Sequence, residues 1–364
     1  MFTLGVLVWL TGVNLLGAER EITRAVVENS SHSAIVTELH NRATLLHRQS
    51  RFQEAYPILV DALRLAESSP ELACTVVVNL LTNLGVNYQE RAQFVEAERT
   101  YQRAMSVWED CCADDSPQSA MSQKNLGTLA MALGHLDVAE PLFRAALVVY
   151  VREYGEDSVK TAGVQDNLAQ VLQAVGQYLA SEALRVKVLA TRERQFGPRD
   201  IEVARALVDL SDIHMLMREV DRSEQEARRA LLIAKRPPQN EPMVSSSLMS
   251  LANALRLQGR AGEAEICYRT ALPLVEKEYG VSHPRAASVL FNMAGAYFDQ
   301  KRYKEAEGLV KRALDIRERA FAPNDPVVAV TLDAYAQILH KLHRPEADEV
   351  AARAKAASRN FANR

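Results

Sequence analysis

Residues 126–146 read LGTLAMALGHLDVAEPLFRAA, and this stretch contains the pattern that decides the fold. A small residue in register with Ala139, which lies within it, recurs along the chain. The eight marker residues are Ala55, Ala97, Ala139, Ser181, Ser223, Ala264, Ala306 and Ala347. The first four intervals between them are 42 residues each, and self-similarity at a fixed period of this size indicates a chain of stacked repeats.

Two further columns keep the same register as the marker residues. Seven residues after the markers lie Ala62, Ala104, Ala146, Val188, Ala230, Ala271, Ala313 and Ala354. Thirteen residues before them lie Leu84, Leu126, Leu168, Leu210, Leu251 and Met293, with Arg42 and Ala334 as exceptions in the first and last repeats. Because larger side chains would overpack a close helix crossing, we expect the small columns to lie at such crossings.

The repeat around Ala139 predicts two helices joined by a tight turn. Apolar residues recur every three or four positions over residues 120–133, which is the helical period. Ser116-Pro117 precedes them and is typical of a helix start, with a capping hydroxyl and a proline in the first turn. Gly134 ends this helix, and a second one is predicted over residues 137–153. Each repeat therefore predicts an αα-hairpin.

The segments GHLDVA at 134–139 and RYKEAE at 302–307 resemble the tetratricopeptide repeat. The 42-residue period is longer than the usual period of about 34 residues and is similar to the kinesin-light-chain subtype. The resemblance implies an all-α fold, a right-handed α-solenoid (superhelix) of about eight helix-turn-helix repeats whose first helices line a concave groove. We expect it to span residues 32–360 and to end in a capping helix, which Arg353 and Lys355 make polar.

Composition and motifs argue against several classes of function. The formal net charge is −3, from 43 Lys and Arg against 46 Asp and Glu, so we expect no nucleic-acid partner. The hydrolase, zinc-protease, dinucleotide and P-loop motifs are absent, as is the CxxC spacing of many zinc sites. These observations predict a non-catalytic protein without a cofactor or a metal.

The first 18 residues carry no charged side chain and are mostly apolar. They resemble a secretory signal with cleavage after Ala18, although a mis-assigned start or an apolar capping helix is the alternative. If the signal is real, we expect a periplasmic or secreted protein; otherwise we expect a cytoplasmic one. The apolar run is shorter than the ~20 residues that span a bilayer, so we expect no stable membrane insertion after processing. Residues 19–31 are interpreted as a leading segment or short helix.

The four cysteines are Cys74, Cys111, Cys112 and Cys267. An even number permits disulfide bonds in an exported protein. Cys74 and the pair Cys111-Cys112 close neighbouring repeats, so a bridge between these repeats is conceivable. The alternative is that each cysteine is a small buried hydrophobic residue.

A polar column lies fourteen residues before the markers, at Asn41, Asn83, Asn125, Asn167, Asp209, Ser250, Asn292 and Asp333. Asparagine is a poor helix former, so five asparagines at one register suggest a purpose. Their amides both donate and accept, and a ladder of them can bind the backbone of an extended peptide. The alternative is a hydrogen bond to the neighbouring repeat.

The later half of the predicted groove turns apolar, at Val208, Leu216, Met249, Leu257, Phe291 and Leu332. A contiguous exposed apolar patch favours docking of a hydrophobic peptide or helix, unless these residues pack against the adjacent repeat. Our candidate partner-binding residues are Asn83, Asn125, Asn167, Asp209, Asn292, Val208, Met249, Phe291 and Leu332. A carboxylate clamp is disfavoured, since only Asn253 matches the residues that the resemblance requires for one.

The leading functional prediction is a non-catalytic scaffold that binds a peptide or partner protein in its groove. The first alternative is a peptide-responsive sensor whose superhelix changes pitch on ligand binding. The second is an enzyme with an unrecognised site, for which the sequence offers no convergent acid, base and nucleophile.

Overall fold

A computed structural model describes residues 32–49, 51–69, 72–91, 93–111 and 116–362. The predicted signal at 1–18 and the leading segment at 19–31 lie outside the described residues. Within the described ranges, all regular secondary structure is helical, in sixteen helices that form eight hairpins. This is the all-α class of stacked helix-turn-helix repeats that the sequence predicts.

The chain divides into two compact units, Met1–Glu156 and Asp157–Arg364. The helices described in the N-terminal unit are α1 (His32–Arg48), α2 (Phe52–Glu67), α3 (Cys74–Glu90), α4 (Phe94–Cys111), α5 (Pro117–Leu133) and α6 (Leu136–Tyr154). Those of the C-terminal unit are α7 (Val159–Ala174), α8 (Tyr178–Phe196), α9 (Ile201–Leu216), α10 (Val220–Ala234), α11 (Glu241–Leu257), α12 (Ala261–Tyr279), α13 (Pro284–Asp299), α14 (Tyr303–Ala320), α15 (Pro326–Lys341) and α16 (Ala347–Ala362).

Within each unit, the hairpins follow one another in sequence and pack side by side. The two helices of a hairpin contact each other, and the second helix also contacts the first helix of the next hairpin. First helices of successive hairpins also contact each other directly. Examples are α3 with α5 in the N-terminal unit and α9 with α11 in the C-terminal unit. Each hairpin therefore buries its apolar surface mainly against its neighbours, as in other stacked repeat proteins.

The helix ends of the third hairpin match the sequence signals closely. The Ser116 side chain caps α5 by accepting a hydrogen bond from the backbone N–H of Ser119. Gly134 ends the helix in the left-handed region, at φ 89°. The same turn position holds Arg218 at φ 65° and Lys301 at φ 61°, so some hairpins adopt this conformation without glycine.

The two small columns lie at the helix crossings, as predicted. All eight marker residues and all eight residues of the second column are buried. A third small position, on the first helices, shows how closely these helices approach their neighbours, both the next first helix and the second helix of the same hairpin. A Cβ at Gly85 would lie 2.5 Å from the Leu129 Cδ2, and one at Gly127 would lie 3.0 Å from the Phe143 ring.

Two markers are serines, and their hydroxyl groups are paired inside the crossing. Ser181 donates a hydrogen bond of 2.7 Å to the backbone carbonyl of Ala169. The other marker is Ser223, and its backbone carbonyl accepts a hydrogen bond of 2.9 Å from the Ser211 hydroxyl. The two hydroxyl groups of Ser211 and Ser223 also lie 2.9 Å apart. Because each hydroxyl has a partner, serine replaces alanine there without leaving a buried polar group unsatisfied.

A ladder of ion pairs joins successive hairpins. A glutamate in the second turn of one second helix pairs with a basic residue just before the next second helix. Within the C-terminal unit, the pairs are Glu224–Arg260 at 2.9 Å, Glu265–Arg302 at 2.7 Å and Glu307–Arg344 at 3.1 Å. The N-terminal unit contains Glu98–His135 at 2.8 Å. Each partly exposed pair contributes little to stability, about 0–1 kcal/mol, but the ladder favours one register between hairpins.

The cysteines differ in state. Cys74 is disulfide-bonded, so the interpretation of this residue as a small buried hydrophobe is wrong. Cys267 is free and half-buried. The side chains of Cys111 and Cys112 lie outside the described residues.

The crossing predicts the effect of a larger side chain at a marker. Ala139→Leu should lower the free energy of unfolding by about 1–3 kcal/mol, because the buried site has no room for the added atoms. Ala145→Leu, at an exposed position of the same helix, should change it by less than about 0.5 kcal/mol. Urea melts compare both variants with the parent, and an unchanged midpoint for Ala139→Leu would contradict the assignment of the column.

The turn geometry predicts a stabilising substitution at Lys301. Lys301→Gly should raise the free energy of unfolding by about 1 kcal/mol, because the strain of a left-handed lysine outweighs the extra flexibility of glycine in the unfolded chain. Gly259→Ala, at the equivalent turn with φ 78°, should have the opposite sign. A lower urea midpoint for Lys301→Gly would show that the backbone is not strained there.

Candidate functional site: a groove along the first helices of the C-terminal unit

Three adjoining cavities lie along helices α9, α11, α13 and α15. Cavity A, of ≈ 320 Å³, is lined by Val208, Asp212, Met249, Asn253, Val275 and Arg285, among others. Cavity B, of ≈ 420 Å³, is lined by Met215, Leu216, Asn253, Arg256, Leu257 and Asn292, with Arg218. Cavity C, of ≈ 160 Å³, lies between Arg256, Phe291, Phe298 and Ile338. Asn253 borders both A and B, and Arg256 borders both B and C, so the cavities form one groove.

The apolar wall of the groove comes from residues that are only partly buried. Val208 and Met249 pack with one side against the core of the C-terminal unit and line cavity A with the other. Phe291 does the same in cavity C, and the Arg317 guanidinium lies 4.7 Å from its ring centroid. The sequence analysis identified all three residues.

Leu332 differs from the other predicted apolar contacts. It is buried to 2% exposure and packs with Leu314, Val328 and Leu339 in the core of the last hairpins. The expectation that Leu332 offers an exposed contact surface is therefore wrong, and the alternative of packing against neighbouring helices applies to it.

Most residues of the predicted polar column are half-buried, and the amides of Asn83, Asn125 and Asn292 bond to the neighbouring first helix. Asn83 donates to the His40 ring at 2.6 Å, and Asn125 donates to the Asn79 side chain at 2.9 Å. In the C-terminal unit, the amide of Asn292 donates to Oδ1 of Asn253 at 3.1 Å. Their NH₂ groups therefore link successive hairpins, which is the alternative interpretation of the column.

Asn253 is the polar residue of the groove that the predicted column leaves out. Its Oδ1 accepts two hydrogen bonds, from the Tyr268 hydroxyl at 2.6 Å and from Asn292 at 3.1 Å. These bonds fix the orientation of the amide. The Nδ2 group has no acceptor among the described residues, and Asn253 lines cavities A and B. Asn253 lies one helical turn after the column, on the same helix face. This spacing is the feature of the sequence from which its place in the groove could have been predicted.

The walls of cavity A carry opposite charges. Asp212 accepts a hydrogen bond of 2.9 Å from the Ser250 hydroxyl, and burial raises the pKa of its carboxyl group to about 6. Arg285 is exposed, lies 4.4 Å over the Tyr279 ring and donates to the Tyr279 hydroxyl at 2.5 Å. No carboxylate of the described chain lies within 4.0 Å of Arg285.

A buried ion-pair cluster beside the groove was not predicted from the sequence. Arg192 of α8 pairs with Asp166 of α7, and Arg185 lies 3.5 Å from Asp209 of α9. Burial raises the pKa of Asp166 to about 6 and also raises that of Asp209. Asp209, a predicted contact, is thus engaged in pairing, and Asn167 lies beside Asp166 on the same helix. The feature of the sequence that indicates this cluster is Arg185, because the equivalent position of the other hairpins holds an apolar or aromatic residue.

No described helix is long and apolar enough to cross a membrane. Models of the tetratricopeptide repeat match the chain over residues 35–110, 76–150, 161–202, 244–319 and 285–359. They leave out residues 203–243, which contain the fifth hairpin and its left-handed Arg218. No curated protein matches the chain.

Several solved structures share the fold. A STAND protein with a tetratricopeptide repeat sensor, from Pyrococcus horikoshii, is 15% identical with a TM-score of 0.60, and the match covers 93% of this chain and 49% of that one. A Rap protein in complex with competence and sporulation factor is 13% identical with a TM-score of 0.57, over 91% of this chain and 99% of that one. BtubC (BKLC) from P. vanneervenii is a weaker match, at 21% identity over 67% of this chain and 92% of that one, and its TM-score of 0.49 is below the level that indicates a shared fold.

Because the identities are below 25%, the similarity to the STAND and Rap structures shows only the fold. The family models match more than half of the chain and therefore show the family. The described helices repeat with the 42-residue period that resembles the kinesin-light-chain type. The chain belongs to the tetratricopeptide repeat family.

Proposed function

We propose that the protein is a non-catalytic scaffold that binds an extended peptide segment of a partner protein in the groove formed by cavities A, B and C. The observation that carries this proposal is the free Nδ2 group of Asn253, held by two hydrogen bonds at the junction of two cavities. A fixed donor without an acceptor, beside apolar surface, suits a backbone carbonyl of a bound peptide.

The apolar walls supply the second part of the argument. Side chains of an extended peptide alternate between its two faces, and those on one face are about 6.6 Å apart. Alternate apolar side chains can therefore enter successive cavities while the backbone faces Asn253. Met249 is the central apolar residue, because it lines cavity A and packs against two core clusters.

The charges of cavity A favour one direction for the bound segment. Asp212 carries a negative charge above about pH 6, while Arg285 is positive and contacts Tyr279 rather than a carboxylate among the described residues. Electrostatic complementarity fixes register and orientation more than it adds affinity. We therefore expect the partner segment to place a cationic or donor group near Asp212 and an acceptor group near Arg285.

A peptide-responsive sensor is the second candidate. The Rap protein that shares the fold was solved with competence and sporulation factor, and this supports a ligand-responsive use of such a solenoid. A sensor would become more compact when a peptide binds, whereas a plain scaffold would keep its dimensions. Small-angle X-ray scattering with and without a bound peptide separates the two.

We also propose that the chain is exported, with cleavage after Ala18. The disulfide-bonded state of Cys74 supports this, since disulfide bonds persist mainly in oxidising compartments. The mature protein would then begin at Glu19, and N-terminal sequencing of the protein recovered from its own cells tests this. An intact Met1 would contradict export by this route.

The groove predicts the effect of a charge at its centre. Peptides selected from a phage-displayed random library against the full chain should bind Met249→Asp at least about tenfold more weakly, a loss of about 1.4 kcal/mol, because an unpaired carboxylate faces the apolar cavity. Fluorescence anisotropy measures the affinity, and circular dichroism should show unchanged helicity.

Leu232→Asp is the matched control, since Leu232 is 71% exposed on α10 and does not line the groove. This variant should bind the selected peptides as the parent does. If the peptides bind Met249→Asp and the parent with equal affinity, they bind outside the groove. If Met249→Asp unfolds, Met249 is a core residue rather than a contact. Asn253→Ala, which removes the amide donor, then provides an independent test of the groove.

A further inference from the structure

The ion-pair ladder between hairpins is reversed at one joint. The residue that precedes each second helix is Arg260, Arg302 or Arg344 in the last three hairpins, and each pairs with a glutamate of the preceding hairpin. Before α10 this residue is Glu219, and the glutamate of the preceding hairpin is Glu182. Two carboxylates thus meet where the three later joints of the C-terminal unit pair opposite charges.

A buried histidine lies at the same joint. His214 of α9 is 3% exposed, and its Nε2 lies 3.0 Å from Oε1 of Glu182. One donor atom from each of Glu182, His214 and Glu219 lies within 4.8 Å of the other two. Equivalent positions in other hairpins hold Ala130, Leu172 or Leu255, so the histidine and the charge reversal occur together.

A third carboxylate fixes the histidine ring. Nδ1 of His214 lies 2.8 Å from Oε2 of Glu226, and its N–H donates a hydrogen bond to this carboxylate oxygen. The lone pair of a neutral ring would then be on Nε2, directed at the negatively charged Glu182. Two acceptors 3.0 Å apart repel each other unless a cation lies between them, which is either a second proton on the ring or a metal ion. A carboxylate that orients the ligand histidine is also the usual outer partner in metal sites.

The distance of 3.0 Å between Nε2 of His214 and Oε1 of Glu182 suits two ligands of one transition-metal ion. At ligand–ion distances of about 2.1 Å, two donors 3.0 Å apart subtend about 90° at the ion, as adjacent ligands of an octahedral site do. One imidazole nitrogen with two carboxylates is a donor set for zinc, manganese or iron rather than for magnesium or calcium. Three ligands leave other positions open to water.

Arg222 balances the charge in the metal-free protein. Its Nη1 lies 2.8 Å from Glu219 and 3.5 Å from Glu182, and the side chain is 62% exposed. An exposed guanidinium can turn into solvent without a large cost, because it is solvated there. We propose that Glu182, His214 and Glu219 bind one divalent transition-metal ion that displaces Arg222 and joins helices α8, α9 and α10.

Isothermal titration of the full chain with Zn²⁺ tests the site, with Mg²⁺ as the comparison. We expect one Zn²⁺ bound per chain, a higher melting temperature with Zn²⁺, and no effect of Mg²⁺. X-ray absorption should show nitrogen and oxygen ligands and no sulfur, which distinguishes this site from binding to Cys267. Affinity should rise with pH as the ring loses its second proton, because that proton competes with the ion.

Glu219→Arg is the decisive variant, because it restores the ion pair of the later joints and removes a ligand whose side chain is already 37% exposed. It should reduce Zn²⁺ affinity at least about 100-fold and raise the melting temperature of the metal-free protein. Glu226→Gln should reduce affinity about 10–100-fold, as expected for a residue that positions a ligand. Arg222→Ala should bind Zn²⁺ more tightly than the parent.

Arg260→Glu is the matched control. It creates the same carboxylate pair with Glu224 but has Leu255 in place of the histidine, so it should not gain a second zinc site. No Zn²⁺ binding by the parent, or equal binding by Glu219→Arg, would overturn the proposal. In the first case the cluster binds only a proton, and in the second the ion binds elsewhere.

Discussion

The close crossing of the two helices in each hairpin is the constraint on which the rest of the structure depends. At Gly127 a single added carbon would contact the Phe143 ring at 3.0 Å, and the eight markers are buried on the facing helices. Because the backbones approach so closely, each hairpin is a stiff unit with a fixed angle between its helices. The stacking of the hairpins and the alignment of the first helices follow from that angle.

Polar side chains then adjust how hairpins join. The amides of the asparagine column connect neighbouring first helices, while the glutamate–arginine ladder connects neighbouring second helices. Because one set of polar contacts joins the first helices and the other joins the second helices, the two sets together fix both the translation and the rotation of each hairpin relative to its neighbour. Where a line is interrupted, the freed or reversed groups become available for other chemistry, as with the amide of Asn253 and the carboxylate of Glu219.

Much of the fold could be predicted from the sequence because repetition averages out local ambiguity. A single Ala or Leu says little, but Ala139 and its seven equivalents at one spacing specify a buried crossing. The ends of α5 were predictable because Ser116 and Gly134 act through local backbone geometry. The burial of Leu332 was not, since it depends on how α14 and α16 pack around it.

The candidate site was predictable only in part, because a groove is made of residues from different repeats. Val208, Met249 and Phe291 stood out as apolar residues at groove registers. Whether an amide is satisfied depends on partners some forty residues away, as Asn292 and Asn253 illustrate. The cluster around His214 likewise joins residues 182, 214, 219 and 226, none of which has a motif spacing.

The reversed joint also bears on how such a chain can change over generations. Most neighbouring hairpins of the C-terminal unit offer a glutamate on one side and an arginine on the other, so duplication or loss of one of them would bring matching charges together again. The fifth hairpin is different, because it presents Glu219 to the glutamate of the hairpin before it, and it carries His214 and Arg222, which offset that repulsion, on its own helices. Any hairpin with a glutamate at the position of Glu182 could therefore precede the fifth hairpin, because the compensating groups stay with Glu219.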